Sequence, residues 1–278
     1  MKSLLRLTIP LGGTVLIALL AGCGGSDSAP TMSQAMPSIA ASDQTLNQLS
    51  TRVVVPSAVS DGPGWVTIHE ASGGTAGAPI GRAHLDAGAN PNVTVTLDRP
   101  AVDGETLYAM LHADRGTVGA YEYPGVDAPV SVGGENVMGP FVVTVAAGTP
   151  AVRFHVSGVG TSAYVFSQVE PAAFAGMLES GGNNPTLTFR TGWRYEIVNA
   201  VFGMHPFQLL ERGATPAADT VLLSEAGAGS LETDAAIDWR EGNQGVMRFT
   251  LAPSLAAVLT GYRCSVHPSV MRGAVAIE

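Results

Sequence analysis

From Arg52 onward the chain is cut into short apolar runs by glycine and proline, and none of these runs keeps a helical period for long. Arg52-Val-Val-Val-Pro56, Trp65-Val-Thr-Ile-His-Glu70, Asn92-Val-Thr-Val-Thr-Leu97, Thr106-Leu-Tyr-Ala-Met-Leu-His112 and Pro140-Phe-Val-Val-Thr-Val145 are rich in β-branched and aromatic residues and alternate in polarity. Asp61-Gly-Pro-Gly64, Gly73-Gly74, Asp103-Gly104 and Gly133-Gly134 separate them. Strands at this spacing, bounded by residues that tolerate turn geometry, predict an all-β chain of antiparallel sandwiches. Charged residues make up only 13% of the chain, too few for the Glu/Lys-rich periods of a coiled coil or helical bundle. Hydrophobic residues make up 46%, enough to build cores and to exclude global disorder. Two patches, 171–179 and 253–259, have helical character and are expected to cover the ends of a sandwich.

The N-terminus reads as a targeting segment. Lys2 and Arg6 precede a mostly apolar stretch over 7–21, too short for a membrane span but suited to a signal peptide. It ends in Leu20-Ala21-Gly22-Cys23, which resembles the bacterial lipobox, in which the cysteine becomes the lipidated first residue. That resemblance implies a signal peptide over 1–22 and a membrane anchor through lipid on Cys23. Residues 23–50, rich in Gly, Ser, Ala and Pro, are expected to be a flexible tether. Gly24 is not Asp, so in a two-membrane bacterium the resemblance implies the outer membrane, facing the periplasm, and otherwise the extracytoplasmic face of the membrane.

Net charge excludes one class of partner. Lys+Arg is 14 against 23 Asp+Glu, a formal −9, and Lys2 is the only lysine. No basic run exists to neutralise phosphates, so nucleic acid is not an expected partner.

With Cys23 assigned to lipid, Cys264 stands alone, and a lone exported thiol is an oxidation liability. Its surroundings supply a reason for it. Gly261-Tyr-Arg-Cys264-Ser-Val-His267-Pro-Ser-Val-Met271 places a thiol, an imidazole and a thioether in one short loop, spaced C-x2-H-x3-M. These ligands suit copper cycling between Cu(I) and Cu(II). A second imidazole is needed, and His205 in Met204-His205-Pro206-Phe207, at the start of a strand-like run, is the candidate. His205, Cys264 and His267 with a weak axial Met271 would make an electron-transfer copper site.

Residues 149–278 resemble the cupredoxins, the small blue-copper proteins. The stretch Asn184–Asn199 looks like the strand–turn–strand that leads to the first histidine, and Val246–Leu251 like the penultimate strand. The resemblance implies a Greek-key sandwich holding one type 1 copper ion on His205, Cys264, His267 and Met271. Pro206 departs from the pattern, since many cupredoxins place there an Asn that donates a hydrogen bond toward the thiolate. Proline has no N–H to donate, so the surroundings of the sulfur are expected to differ. Met204 is expected to point away from the metal.

Residues 51–148 resemble an uncharacterised module of exported microbial proteins, which implies no activity. His69, His84, His112 and His155 are read as ordinary strand histidines, those of the N-terminal half as exposed strand ends. A metal site from His69, Glu70 and His112 is the lesser alternative. No nucleophile elbow, zinc-protease helix, P-loop or dinucleotide fingerprint is present, nor the His-x-His pairs of a copper oxidase. Catalysis and a small-molecule substrate are therefore not expected. The expected function is a lipid-anchored one-electron carrier in the cell envelope with an unidentified redox partner. The alternatives are copper storage or delivery, or a structural surface module.

Overall fold

The computed structural model describes residues 36–179, 181–242 and 244–278. Cys23, the signal-peptide reading and residues 24–35 lie outside them. In chain order the strands are β1 Ser38–Ala40, β2 Gln44–Leu46, β3 Arg52–Ser60, β4 Gly64–Ser72, β5 Thr75–Leu85, β6 Gly88–Leu97, β7 Glu105–Ala113, β8 Ser131–Val132, β9 Glu135–Asn136 and β10 Met138–Val145. They continue as β11 Val152–Val159, β12 Ala163–Glu170, β13 Leu187–Phe189, β14 Arg194–Asn199, β15 Phe207–Glu211, β16 Thr220–Ser224, β17 Arg240–Gly242, β18 Val246–Thr250, β19 Gly261–Cys264 and β20 Arg272–Ile277. The two helical patches are short, a 3-10 segment over Ala172–Met177 kinked at Phe174 and an α-turn over Pro253–Ala256.

The chain is all-β, as its glycine-punctuated alternation requires. The first module is an eight-stranded sheet in the order β1-β3-β6-β5-β4-β7-β10-β2. It curls until β1 meets β10 and β3 meets β7. The period-2 pattern sends Val53, Val55, Val66, Ile68, Leu107, Leu111 and Phe141 into one core between the curled halves. The second module stacks two five-stranded sheets, β12-β11-β14-β18-β17 on β13-β20-β19-β15-β16. Phe154, Phe166, Phe189, Tyr195, Phe207, Phe249 and Tyr262 interdigitate between them. Most pairings are antiparallel; β2–β10, β11–β14 and β13–β20 are parallel.

One expectation needs correction. The tether was expected to run to residue 50, yet β1 pairs with β3 and β2 with β10, and Leu46 and Leu49 are buried. Three-residue strands carry no readable period, so only the partners across the sheet reveal them. The first core ends at Val145 and the second begins at Ala151, while the described residues of both modules form one contact unit. Backbone and side-chain bonds cross the junction between them. Ser50 N–H donates to Pro150 O at 2.8 Å, and Thr51 Oγ1 to Ala151 O at 2.6 Å.

Candidate metal centre

The register of β15 against β19 sets the site. Phe207 lies opposite Cys264, so the residues just before β15 and just after β19 meet at one end of the sandwich. His205 closes the turn that enters β15, its N–H donating to Val201 O at 2.8 Å. The loop leaving β19 is cinched at its base. Cys264 N–H donates to Met271 O at 2.8 Å, and Met271 N–H to His267 O at 3.0 Å. Cys264, Ser265, Val266, His267 and Met271 are thus held in one tight reversal of chain.

Three expected ligands converge. His205 Nδ1 lies 3.1 Å from His267 Nδ1. Cys264 Sγ lies 3.7 Å from each of these nitrogens. This is the one group of at least three His, Cys, Asp or Glu donors gathered closely enough for a metal ion among the described residues. The point equidistant from the three donors is about 2 Å from each, the length of a first-row metal–nitrogen bond. The residues present therefore fit, in both chemistry and size, a trigonal ion held by two nitrogens and one sulfur. Met271 is fully buried in the same core at the foot of the loop, whereas Met204 is 68% exposed.

Burial lowers the pKa of His205, and the neighbouring His267 lowers it further. Two imidazole nitrogens 3.1 Å apart cannot both carry hydrogens, so at least one lone pair faces the centre. The sulfur accepts a hydrogen bond from Val266 N–H at 3.4 Å. The donor that Pro206 cannot supply thus comes from inside the C-terminal loop.

The supporting residues were not singled out from the sequence. Tyr164 Oη donates to His205 O at 2.6 Å, and Asn199 Nδ2 donates to the same oxygen at 2.8 Å. Asn199 also donates to Glu225 Oε2 at 2.8 Å, and Phe207 N–H donates to that oxygen at 2.7 Å. Burial pushes the Glu225 carboxyl up to about 7, against these two hydrogen bonds. Asn184, with φ of 52°, takes a hydrogen bond from Tyr164 N–H and donates to Val270 O at 2.9 Å, tying the ligand loop to β12. An asparagine at a strand end and another with positive φ are signals of local hydrogen bonding, but their partners lie across the fold. The rim is apolar: Val266 is 60% and Val270 51% exposed on either side of half-buried His267.

His155, in β11, lies 3.5 Å from Glu170. His84 bonds Asp114 at 2.9 Å. The reading of His69 and His112 as exposed strand ends is overturned, since they are 2% and 0% exposed.

A family model described as a domain of unknown function (DUF7282) matches residues 37–144. This is less than half of the chain, and it coincides with the first module from β1 to β10. Two curated relatives are the cell surface glycoproteins 2 and 1 of Haloarcula hispanica. The first is 36% identical over 99 residues and the second 37% over 94, or 35% and 34% of this chain. The chain spans about a tenth of the length of each of these relatives. Among solved structures, the ectodomain of the teleost fish polymeric Ig receptor aligns over 87% of this chain and 98% of its own. Identity is 10% and the TM-score 0.25, too low to carry an argument.

Proposed function

We propose that the second module is a type 1 copper protein that carries one electron at a time in the cell envelope. The observation that supports this most is the gathering of His205 Nδ1, His267 Nδ1 and Cys264 Sγ within 3.7 Å of one another. Bound there, copper would supply a one-electron couple, and the thiolate–imidazole set suits both of its oxidation states. His205, Cys264 and His267 would hold the ion, and Met271 would add a weaker thioether donor. Tyr164 and Asn199 clamp the His205 backbone from two sides. Held in this way, the ligands need move little when the charge changes. His267, framed by exposed Val266 and Val270, is the expected route for the electron. An apolar rim favours brief, weak docking.

The envelope location is inferred from the signal-like N-terminus and from the names of the cell surface relatives. The lipid anchor at Cys23 is part of the same proposal. Wild type should take up labelled fatty acid and partition into detergent, and Cys23→Ala should do neither. A soluble, unlabelled wild type would remove the anchor.

Voltammetry of the full chain loaded with one equivalent of Cu(II) tests the carrier role. The expected result is a reversible one-electron wave, with copper retained for hours against a chelator. Rapid loss to the chelator without a wave would point instead to copper storage or delivery. A protein that takes up no copper would leave the structural reading.

A further inference from the structure

A second pair of histidines lies in the first module, far from any cysteine in sequence. In the β4–β7 ladder Trp65 stands opposite His112, Thr67 opposite Met110 and His69 opposite Tyr108. Alternate residues share a face. His69, Met110 and His112 therefore project from the face opposite to the one that carries Val66, Ile68, Leu107 and Leu111 into the core. In an ordinary sandwich that outer face is solvated. Here Met110 is 5% exposed and the two histidines less. The connection after β7 lays Tyr121 and Tyr123 against His112 at ring distances of 5.9 and 5.0 Å.

Both imidazoles are oriented in the same way. His69 Nδ1 lies 2.8 Å from Gly77 O, and His112 Nδ1 lies 2.9 Å from Asp127 O. A carbonyl only accepts, so Nδ1 carries the hydrogen in each ring and Nε2 carries a lone pair. Both Nε2 atoms are buried and have no hydrogen-bond partner. Burial lowers the pKa of both, and repulsion from His69 lowers that of His112 further. The rings are nearly parallel, 19° apart, with centroids at 5.5 Å.

Two buried nitrogen acceptors without a partner are costly unless something takes their lone pairs. Nδ1–H held by a backbone carbonyl is the support that metal-ligating histidines use. Met110, between them in the register, adds a soft thioether. Imidazole and thioether together suit a soft ion such as Cu(I). Tyrosine faces shed water and attract a cation. The buried Asp127 carboxylate, fixed by Arg115 N–H and Glu122 N–H, supplies a nearby negative charge. We propose that His69, His112 and Met110 form a binding site for Cu(I) in the first module. Binding involves no electron transfer and does not depend on the reading of the Cys264 centre.

Ag(I), which shares the closed d shell of Cu(I) and is stable in air, is the probe. The full chain carrying Cys264→Ser and His267→Gln should retain one equivalent of Ag(I) against a competing ligand. Adding His69→Gln and His112→Gln should abolish that equivalent, and Met110→Leu should weaken it about tenfold. Imidazole 15N spectra of the wild-type chain give a readout that survives any folding failure of the variants. On addition of Ag(I), the Nε2 resonances of His69 and His112 should shift and the Nδ1–H resonances remain. Nε2 resonances unmoved by excess Ag(I), or Ag(I) binding undiminished by the two His→Gln changes, would overturn the site.

Discussion

The two histidine clusters of this chain are built by opposite means. In the second module His205, Cys264 and His267 turn three donor atoms toward one point, and two of the three come from a single short loop. In the first module His69 and His112 come from neighbouring strands, and their Nε2 atoms are buried without a partner. One cluster is anchored through the backbone of its ligands: Tyr164 and Asn199 grip His205 O, and Met271 and His267 close the loop. The other is anchored through the rings themselves, by Nδ1 bonds to Gly77 and Asp127. A loop can carry a ligand motif in its own sequence. A strand face acquires one only when the sheet register and a covering connection bring it together.

The largest expected effect tests whether the two clusters stand on separate cores. Phe189→Ala opens a cavity at the centre of the second module and should cost about 3–5 kcal/mol. It should abolish metal uptake at Cys264 while leaving the 15N signals of His69 and His112 in place. Simultaneous loss of both clusters would mean that the cores unfold as one.

Glu225 sharpens the comparison through pH, because it is the buried acid beneath one cluster only. Its carboxyl sits at about 7 in the fold, against an ordinary value of 4.5. The fold therefore binds that proton more tightly than the unfolded chain. Its contribution is fully present below the ordinary carboxyl value and is lost as pH rises through about 7. The loss is on the order of 3 kcal/mol. Urea unfolding of the metal-free protein should show this decline for the second module, and Glu225→Gln should flatten it. An equal slope in wild type and variant would place the titration elsewhere.

The axial position is the next smaller step. Met271→Leu should keep copper and raise the reduction potential by about 60 mV, a tenfold change in the one-electron equilibrium, because a lost donor destabilises Cu(II) more than Cu(I). Met271→Gln should lower the potential, since a harder oxygen favours Cu(II). A potential unchanged in both variants would exclude Met271 as the axial ligand. The smallest effect is at the junction. Thr51→Ala removes the 2.6 Å bond to Ala151 O and should cost about 1 kcal/mol. Calorimetry that shows no shift in either module would mean the modules do not support each other there.

The same contrast explains what was legible in the sequence. The all-β class followed from alternating runs and glycine turns, which are local. The C-x2-H-x3-M loop was legible for the same reason, and His205 was found as an imidazole next to a strand start. Asn199, Glu225 and Tyr164 were not, because their importance lies in reaching His205 and Phe207 across the sandwich. β1 and β2 were read as tether because three residues show no period, although Ile39 and Leu46 sit at the positions that pack on the core. His69 and His112 stand near the ends of their apolar runs, where histidines are ordinarily exposed. The connection carrying Tyr121, Tyr123 and Asp127 packs on His112, and β5 holds His69 through Gly77 O.

The most direct test of the central claim is the visible spectrum of the full chain with one equivalent of Cu(II), beside that of Cys264→Ser. A thiolate bound to Cu(II) in a trigonal site donates directly into the half-filled copper orbital and gives an intense visible charge-transfer band. The account requires that band in wild type, its loss in Cys264→Ser, where a serine oxygen cannot replace the soft sulfur, and a shifted or weakened band in His205→Ala and His267→Ala. A colourless wild type, or a band that survives in Cys264→Ser, would contradict it.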